Sequence, residues 1–317
     1  MTMTRGLLLV KSGGDAAVPE WQAGFRAAAP QLEVRGWNDP SVDPDAVTYV
    51  LVWEPEQGRI AGYRNLRVIF SSAAGVDHIV CDPTVPPQLP IVRMVSEETS
   101  QTLGEYCCLA ALSILRDYPR MIAAQAARHW DTYEPPHTAR DKCVGIMGFG
   151  TIGQVVARML SGLGFQLAGW ARSRKSVDGI TMFAGDDELA PFLARCDILV
   201  NLLPDTPATR GVLDARRLAW LPRGAGVVNG GRGTAIVLPD LIAALDSGQI
   251  GAAVLDVFEE EPLPADNPAW THPRITVTGH LAGYASRRAR AASVAATLAA
   301  MERGETVPHL YDRARGY

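Results

Sequence analysis

The chain opens on short, nearly continuous apolar runs separated by turn residues. Segments 6–10, 49–53, 66–70 and 90–94 read as strands apolar on both faces, the pattern of a parallel sheet covered on two sides. Segment 20–29 has helical spacing and supplies a first crossover helix, whereas 83–90, with four prolines, is a loop. From 99 to 128 the apolar positions keep helical spacing, with Pro119 as a bend, and a proline-containing loop follows over 131–140. That helix is long enough to link domains or to carry a subunit interface.

A second series starts at Lys142. Strands are expected at 143–147, 166–170, 197–202, 226–229, 252–258 and 275–278, with helices at 152–163, 187–194 and 238–247. Periods of 2 and 3.6 alternate along it as a doubly wound α/β sheet requires. Segment 284–303 reads as a long helix that could return to the first domain. There is no internal sequence repeat, and two α/β units in tandem are the predicted architecture.

Composition adds bounds to this picture. At about 100–200 residues per domain, 317 residues make two domains. With 47% apolar and 20% charged residues, the chain can build its cores without disulfides or metals. The formal charge of −4 argues against a broad nucleic-acid footprint. Lysine occurs only at Lys11, Lys142 and Lys175, so arginine supplies the other positive charges. The five cysteines include no CxxC pair, which points to a reducing, cytoplasmic compartment, and Cys143 and Cys196 read as buried small hydrophobes. Segment 1–10 reads as a first strand, not a signal peptide, and no apolar run approaches the roughly 18 residues of a membrane span. The spacing of His129 and His137 suits no metal site, and no G-x-S-x-G elbow occurs.

The chemistry begins at Gly148-Phe149-Gly150-Thr151-Ile152-Gly153, a G-x-G-x-x-G pattern that follows a predicted strand and enters a predicted helix. Gly148 permits the tight turn, Gly150 leaves room for a pyrophosphate, and Gly153 lets helix and strand approach. The helix N-terminus then offers N–H groups to the phosphates. A plain glycine-rich turn, or a site for another adenosyl ligand such as a methyl donor, is the weaker reading. NAD sites usually carry Asp or Glu at the end of the next strand; here Trp170-Ala171 is followed by Arg172-Ser173-Arg174-Lys175. A 2′-phosphate is paired by arginine and repelled by carboxylate, so NADP(H) is expected over NAD(H), against a merely solvated basic loop.

Three further elements end predicted strands, where ligands bind in open α/β sheets. Asn229-Gly230-Gly231-Arg232 places an arginine that can clamp a carboxylate and polarise a carbonyl. Asp256-Val257-Phe258-Glu259-Glu260-Glu261 places acids, and Thr278-Gly279-His280 a histidine able to move a proton near neutral pH. Together these are the groups needed to reduce a 2-oxo acid. Composition alone does not choose among Glu259, Glu260 and Glu261, nor single out His280 from His78, His129, His137, His272 and His309.

These motifs, with Val52-Trp53, Ala74-Gly75-Val76-Asp77, Asn201-Leu202-Leu203-Pro204, Pro262-Leu263-Pro264 and the closing Asp312-Arg313-Ala314-Arg315-Gly316-Tyr317, are spread over nearly the whole chain. In them the chain resembles the D-isomer-specific 2-hydroxyacid dehydrogenases, most closely the A-type glyoxylate/hydroxypyruvate reductases. The resemblance implies two Rossmann-like doubly wound domains of the formate/glycerate dehydrogenase type. A discontinuous, flavodoxin-like substrate domain would span 1–97 and 289–317, and an NAD(P) domain 98–288. It implies Glu261, five residues after Asp256 and 29 after Arg232, as partner of the acid/base His280, with Arg232 on the substrate. Asp256 is implied near the nicotinamide, with Leu203 and Pro204 also on the cofactor. The backbone of Ala74, Gly75 and Val76 is implied to receive the substrate carboxylate, and Trp53 to wall the pocket unless it is a core aromatic. A homodimer through 98–140 is implied, with Trp130 near the partner's active site or simply packed in the interface.

The expected reaction is NADPH-dependent reduction of glyoxylate or hydroxypyruvate, the product being the D-2-hydroxy acid. A broad NAD(P)-dependent 2-ketoacid reductase or D-lactate-type dehydrogenase, a non-enzymatic NAD(P)-sensing corepressor or scaffold, and a methyltransferase are the alternatives. Two departures stand out: Gly279 replaces the family's usual proline, and Gly230-Gly231 precedes Arg232 where bulkier residues are common. Both predict a looser site.

Overall fold

A computed structural model describes residues 6–316; the first five residues of the predicted opening strand and Tyr317 of the closing motif lie outside the described residues. The chain forms two compact units, 1–98 with 285–317, and 99–284.

In the first unit, β1 (Gly6–Lys11), α1 (Val18–Ala28), β2 (Leu32–Gly36), β3 (Val47–Val52), β4 (Val68–Ser71), the short α2 (Asp77–Val80) and β5 (Ile91–Val92) build a parallel sheet in the order β2-β1-β3-β4-β5. The strands bury both faces: Leu8 and Val10 enter one core with Trp21 and Phe25, while Leu9 enters the other with Val50 and Ile69. This is why their sequence is apolar without alternation. β2 escapes sequence reading because Val34 alone among its residues is buried.

In the second unit, α3 (Glu97–Leu115, whose first residues belong to the first unit) and α4 (Tyr118–Ala126) precede the second series. The single helix expected over 99–128 is thus two helices. The break falls at Asp117, whose φ of 49° is left-handed, and Pro119 lies in the first turn of α4, where its missing N–H loses no helical bond. Next come β6 (Cys143–Met147), α5 (Thr151–Gly162), β7 (Gln166–Ala171), β8 (Thr181–Ala184), α6 (Leu189–Leu193), β9 (Ile198–Asn201), α7 (Ala215–Leu218), β10 (Ala225–Asn229), α8 (Leu238–Asp246), β11 (Ile250–Leu255) and β12 (Ile275–Val277). Their parallel sheet runs β12-β11-β10-β9-β6-β7-β8, so the strand order reverses at β6 and β9. Such a switch point opens a crevice at the carboxyl ends of the strands.

Side chains of β6 alternate between the two cores, Val144 and Ile146 on one side, Cys143 and Met147 on the other. Cys143 and Cys196 are buried, as their apolar surroundings predict, and burial pushes the Cys196 thiol upward. A Cβ at Gly145 would lie 2.0 Å from the Cys196 sulfur, so the close packing of β6 under Cys196 depends on that glycine. After β12 the chain returns to the first unit as α9 (Arg287–Glu302), which starts where Ser286 Oγ accepts the Ala289 N–H at 3.2 Å. Among the described residues, no helix is long and apolar enough to cross a membrane.

Candidate active site

The glycine turn sits at the end of β6, on the switch point. Gly148 has φ +103°, and a Cβ there would fall 2.8 Å from the Leu202 backbone. A Cβ at Gly153 would fall 2.6 Å from the Gly148 carbonyl oxygen, so helix and strand depend on that glycine for their approach. Gly150, in contrast, faces open space, and α5 begins at Thr151 without a side-chain cap. The first N–H groups of α5 are therefore available to an anion. An open cradle, uncapped N–H groups and the adjacent segment Leu202-Leu203-Pro204 fit a dinucleotide pyrophosphate.

Beyond β7, Arg172, Ser173 and Arg174 are exposed and Lys175 is half-buried. The structure gives the last two different partners. Arg174 pairs with Glu188, whereas Lys175 Nζ donates to the Phe149 carbonyl at 2.6 Å, inside the glycine turn.

Arg232 follows β10. The register pairs Asn229 of β10 with Asn201 of β9, and their buried amides meet, Asn201 Nδ2 donating to Asn229 Oδ1 at 2.9 Å. Asn229 Nδ2 donates to the Arg232 carbonyl at 3.0 Å, and its Oδ1 also accepts the Gly231 N–H at 3.2 Å. The pair thus shapes the turn that presents the arginine. The looseness expected at Gly230-Gly231 is not found at Gly231, where a Cβ would lie 2.8 Å from the Leu203 carbonyl oxygen. One residue past the arginine, a Cβ at Gly233 would lie 1.8 Å from the Phe258 carbonyl carbon. That contact brings the arginine turn against the acidic loop.

β11 ends at Leu255, earlier than expected, so Asp256 to Glu261 are loop. Of the three glutamates, Glu261 meets the histidine: its Oε2 lies 2.6 Å from His280 Nδ1. Its Oε1 accepts the Phe258 N–H at 2.8 Å. Burial, the largest single effect, opposes ionisation of Glu261. The His280 ring, the Phe258 N–H and the charge of Arg232 together outweigh it and hold the carboxyl below the usual range. Arg232, Glu261 and His280 are thus one electrostatic cluster. Among the other histidines, His272 faces Asp246 at 3.3 Å and accepts from the Arg274 N–H.

Asp256 has a task that the sequence did not reveal. It is 2% exposed, its Oδ1 accepts from the Thr278 hydroxyl at 2.6 Å and the Leu281 N–H at 2.9 Å, and its Oδ2 accepts the Ala282 N–H at 2.9 Å. The His280 N–H in turn donates to the Asp256 carbonyl at 2.8 Å. Tyr106 of α3 extends the chain, its hydroxyl 2.8 Å from Thr278 Oγ1. The loop is therefore pinned on both sides of Gly279, and the relaxation expected from that glycine is offset by Asp256. A Cβ at Gly279 would meet nothing within 4 Å, and the residue is not left-handed. Gly279→Ala is expected to fold normally and to gain about 0.4–1 kcal/mol by restricting the unfolded chain. Chemical denaturation checks this, and a loss above 1 kcal/mol would show that the loop needs glycine's freedom.

Trp53, Ala74, Gly75 and Val76 belong to the first unit. Ser71 Oγ donates to the Gly75 carbonyl at 2.7 Å and accepts the Ala73 N–H at 3.1 Å, which fixes the 74–76 turn. Trp53, half-buried, packs its ring 4.4 Å from that of His78.

A family model described as D-isomer specific 2-hydroxyacid dehydrogenase, NAD binding domain, matches residues 108–282, more than half of the chain. A crystal structure of a D-isomer specific 2-hydroxyacid dehydrogenase from Xanthobacter autotrophicus Py2, in complex with NADPH and MES, is 38% identical. It superposes with a TM-score of 0.93 over 99% of this chain and 100% of that one. The NADPH-dependent glyoxylate/hydroxypyruvate reductase of Sinorhizobium meliloti, with NADP and sulfate, is 34% identical, with a TM-score of 0.91 over 98% and 100% of the two chains. A probable 2-hydroxyacid dehydrogenase from Rhizobium etli CFN 42, with NADP, HEPES and L(+)-tartaric acid, is also 34% identical, with a TM-score of 0.89 over 98% and 99%. On this match and these identities, the chain belongs to the D-isomer specific 2-hydroxyacid dehydrogenases.

Proposed function

We propose that the chain is an NADPH-preferring reductase of small 2-oxo acids, with glyoxylate and hydroxypyruvate as leading substrates and the D-2-hydroxy acid as product. The observation that carries the chemistry is the 2.6 Å pairing of His280 Nδ1 with Glu261, beside the charge of Arg232. A carboxylate on Nδ1 sets the tautomer and orientation of the ring and leaves Nε2 to move a proton. When bound, the reduced nicotinamide supplies a hydride for C2. His280 delivers its proton from Nε2 to the carbonyl oxygen as negative charge develops there. Glu261, kept charged, steadies the ring, and Arg232 binds the substrate carboxylate and polarises the carbonyl. The backbone of Ala74, Gly75 and Val76 takes the substrate carboxylate, and Trp53 walls the pocket.

Gly148, Gly150, Thr151, Ile152 and Gly153 hold the pyrophosphate, and Leu203, Pro204 and Asp256 complete the cofactor site. Arg172, Ser173 and Arg174 select the 2′-phosphate; the absence of a carboxylate at the end of β7 supports this, as do the NADPH and NADP in the similar crystal structures. The reductase named for the Sinorhizobium meliloti protein supports the substrate choice. Exposed Leu109, Tyr118, Met121 and Ile122, with Trp130 at 90%, support a homodimer through α3, α4 and the following loop, with Trp130 near the partner's site. Free cysteines support a cytoplasmic setting.

Oxidation of NADPH and NADH, measured in parallel against a panel of 2-oxo acids, tests the reading. NADPH-dependent turnover of glyoxylate or hydroxypyruvate is expected. Replacing both Arg172 and Arg174 with alanine is expected to weaken NADPH by about 10–100-fold, the worth of a charged hydrogen bond, with little change for NADH. A wild-type enzyme favouring NADH would overturn the cofactor assignment and leave the acid/base chemistry standing.

A further inference from the structure

The basic stretch after β7 is divided between two partners, and the division carries a role for a residue outside it. Glu188 uses its two oxygens separately: Oε2 accepts the Ala184 N–H at 2.7 Å, and Oε1 accepts from a guanidinium N–H of Arg174. Ala184 is the last residue of β8, paired in register with Ala171 at the end of β7. The same corner is closed by the Gly185 N–H on the Ala171 carbonyl at 3.1 Å and by Trp170 Nε1 on the Gly185 carbonyl at 3.0 Å. Glu188 is therefore anchored to the sheet, whereas the Arg174 side chain is 67% exposed.

An arginine so exposed loses rotamer freedom when it binds a ligand. A carboxylate fixed by backbone confines it beforehand. Arg174 gives Glu188 a single N–H, and a guanidinium has five, so donors remain for a phosphate. Glu188 stays charged: the Ala184 N–H first, and Arg174 next, hold its carboxyl below the usual range. Its negative charge lies against the arginine and is screened by solvent, so repulsion of a phosphate is the smaller effect. Lys175 is committed elsewhere, to the Phe149 carbonyl of the turn that serves both nicotinamide cofactors.

We propose that Glu188 is a positioning residue for cofactor selectivity, holding Arg174 on the β7–β8 frame so that the arginine meets a 2′-phosphate already ordered. This rests on the NADPH-preferring reading above. Lys175, on the same geometry, steadies the phosphate turn and does not discriminate.

The test measures dissociation constants for NADPH and NADH, and inhibition constants for adenosine 2′,5′-bisphosphate and 5′-AMP. The proteins are wild type, Glu188→Ala, Glu188→Gln, Arg174→Ala, the Glu188→Ala/Arg174→Ala double variant and Lys175→Met. Glu188→Ala is expected to lower the NADPH-to-NADH and bisphosphate-to-AMP affinity ratios about two- to fivefold, the scale of an exposed ion pair. Glu188→Gln, which keeps an acceptor oxygen, is expected to recover part of the loss. The double variant is expected to match Arg174→Ala, because Glu188 acts only through the arginine. Lys175→Met is expected to weaken all four ligands and leave both ratios alone.

Unchanged ratios in Glu188→Ala, with Arg174→Ala still selective in its effect, would overturn the proposal. Tighter NADPH binding by Glu188→Ala would also overturn it, by making Glu188 a competitor for the arginine. Wild type without NADPH preference, unaffected by Arg174→Ala, would instead sink the cofactor reading on which the proposal rests.

Discussion

Replacing His280 with asparagine is expected to lower kcat for 2-oxo acid reduction by about 10²–10⁴-fold, the usual worth of a positioned acid/base. Asparagine suits the site. His280 has φ 53°, a left-handed conformation that asparagine adopts more readily than most residues, and its amide can still donate towards Glu261. The His280 side chain is 35% exposed, so the folded state loses little, and the melting temperature is expected to stay close to wild type. NADPH binding, measured by fluorescence titration, is also expected to persist, because the glycine turn and the basic stretch are untouched. A variant that kept kcat within tenfold of wild type would show that the proton comes from another group. A variant that no longer bound NADPH would show that His280 holds the cofactor site together.

Gly233→Ala has the largest expected effect on stability, near 3 kcal/mol, which for a unit of this size lowers the melting temperature by about 6–12 °C. The added Cβ would lie 1.8 Å from the Phe258 carbonyl carbon and 2.2 Å from its oxygen. Backbone cannot turn aside as a flexible side chain can, so one of the two loops must move. Arg232 precedes Gly233, and Phe258 supplies the N–H that orients Glu261. The same displacement is therefore expected to lower kcat/KM well beyond the loss of folded protein. Thermal melts and kinetics on the folded fraction check both parts. Wild-type melting with wild-type kcat/KM would mean that the two loops do not approach this closely. Gly279→Ala, with open space around its Cβ, is the contrasting control.

Much of the site was legible before folding because its signals are local. Gly148, Gly150 and Gly153 act within one strand-turn-helix, and the 143–147 strand was placed to the residue because all five of its residues are buried. Of the four edge strands, β5 and β12 were legible and β2 and β8 were not. β8 has no fully buried residue, so its binary pattern is weak. The break between α3 and α4 was set at Pro119 in the sequence, yet proline is tolerated in a first helical turn and the chain turns two residues earlier, at Asp117. Glu261 emerged from the glutamate run only through family spacing; in the structure its hydrogen bond to His280 distinguishes it from Glu259 and Glu260.

By itself, then, the sequence determined the alternating α/β class, the phosphate-binding turn, the cationic stretch after β7 and the residue types at each strand end, since these depend on neighbours within a few positions. Tertiary structure decided which of those residues act on one another. Asn201 meets Asn229 across 28 positions because β9 and β10 pair in that register. Asp256 anchors Leu281 and Ala282 across 25 and 26 positions, and Glu188 holds Arg174 across 14. Such contacts form where separate strand ends converge. Hydrogen bonds of under about 3 Å then depend on strand register and loop packing, which no local pattern in the chain encodes.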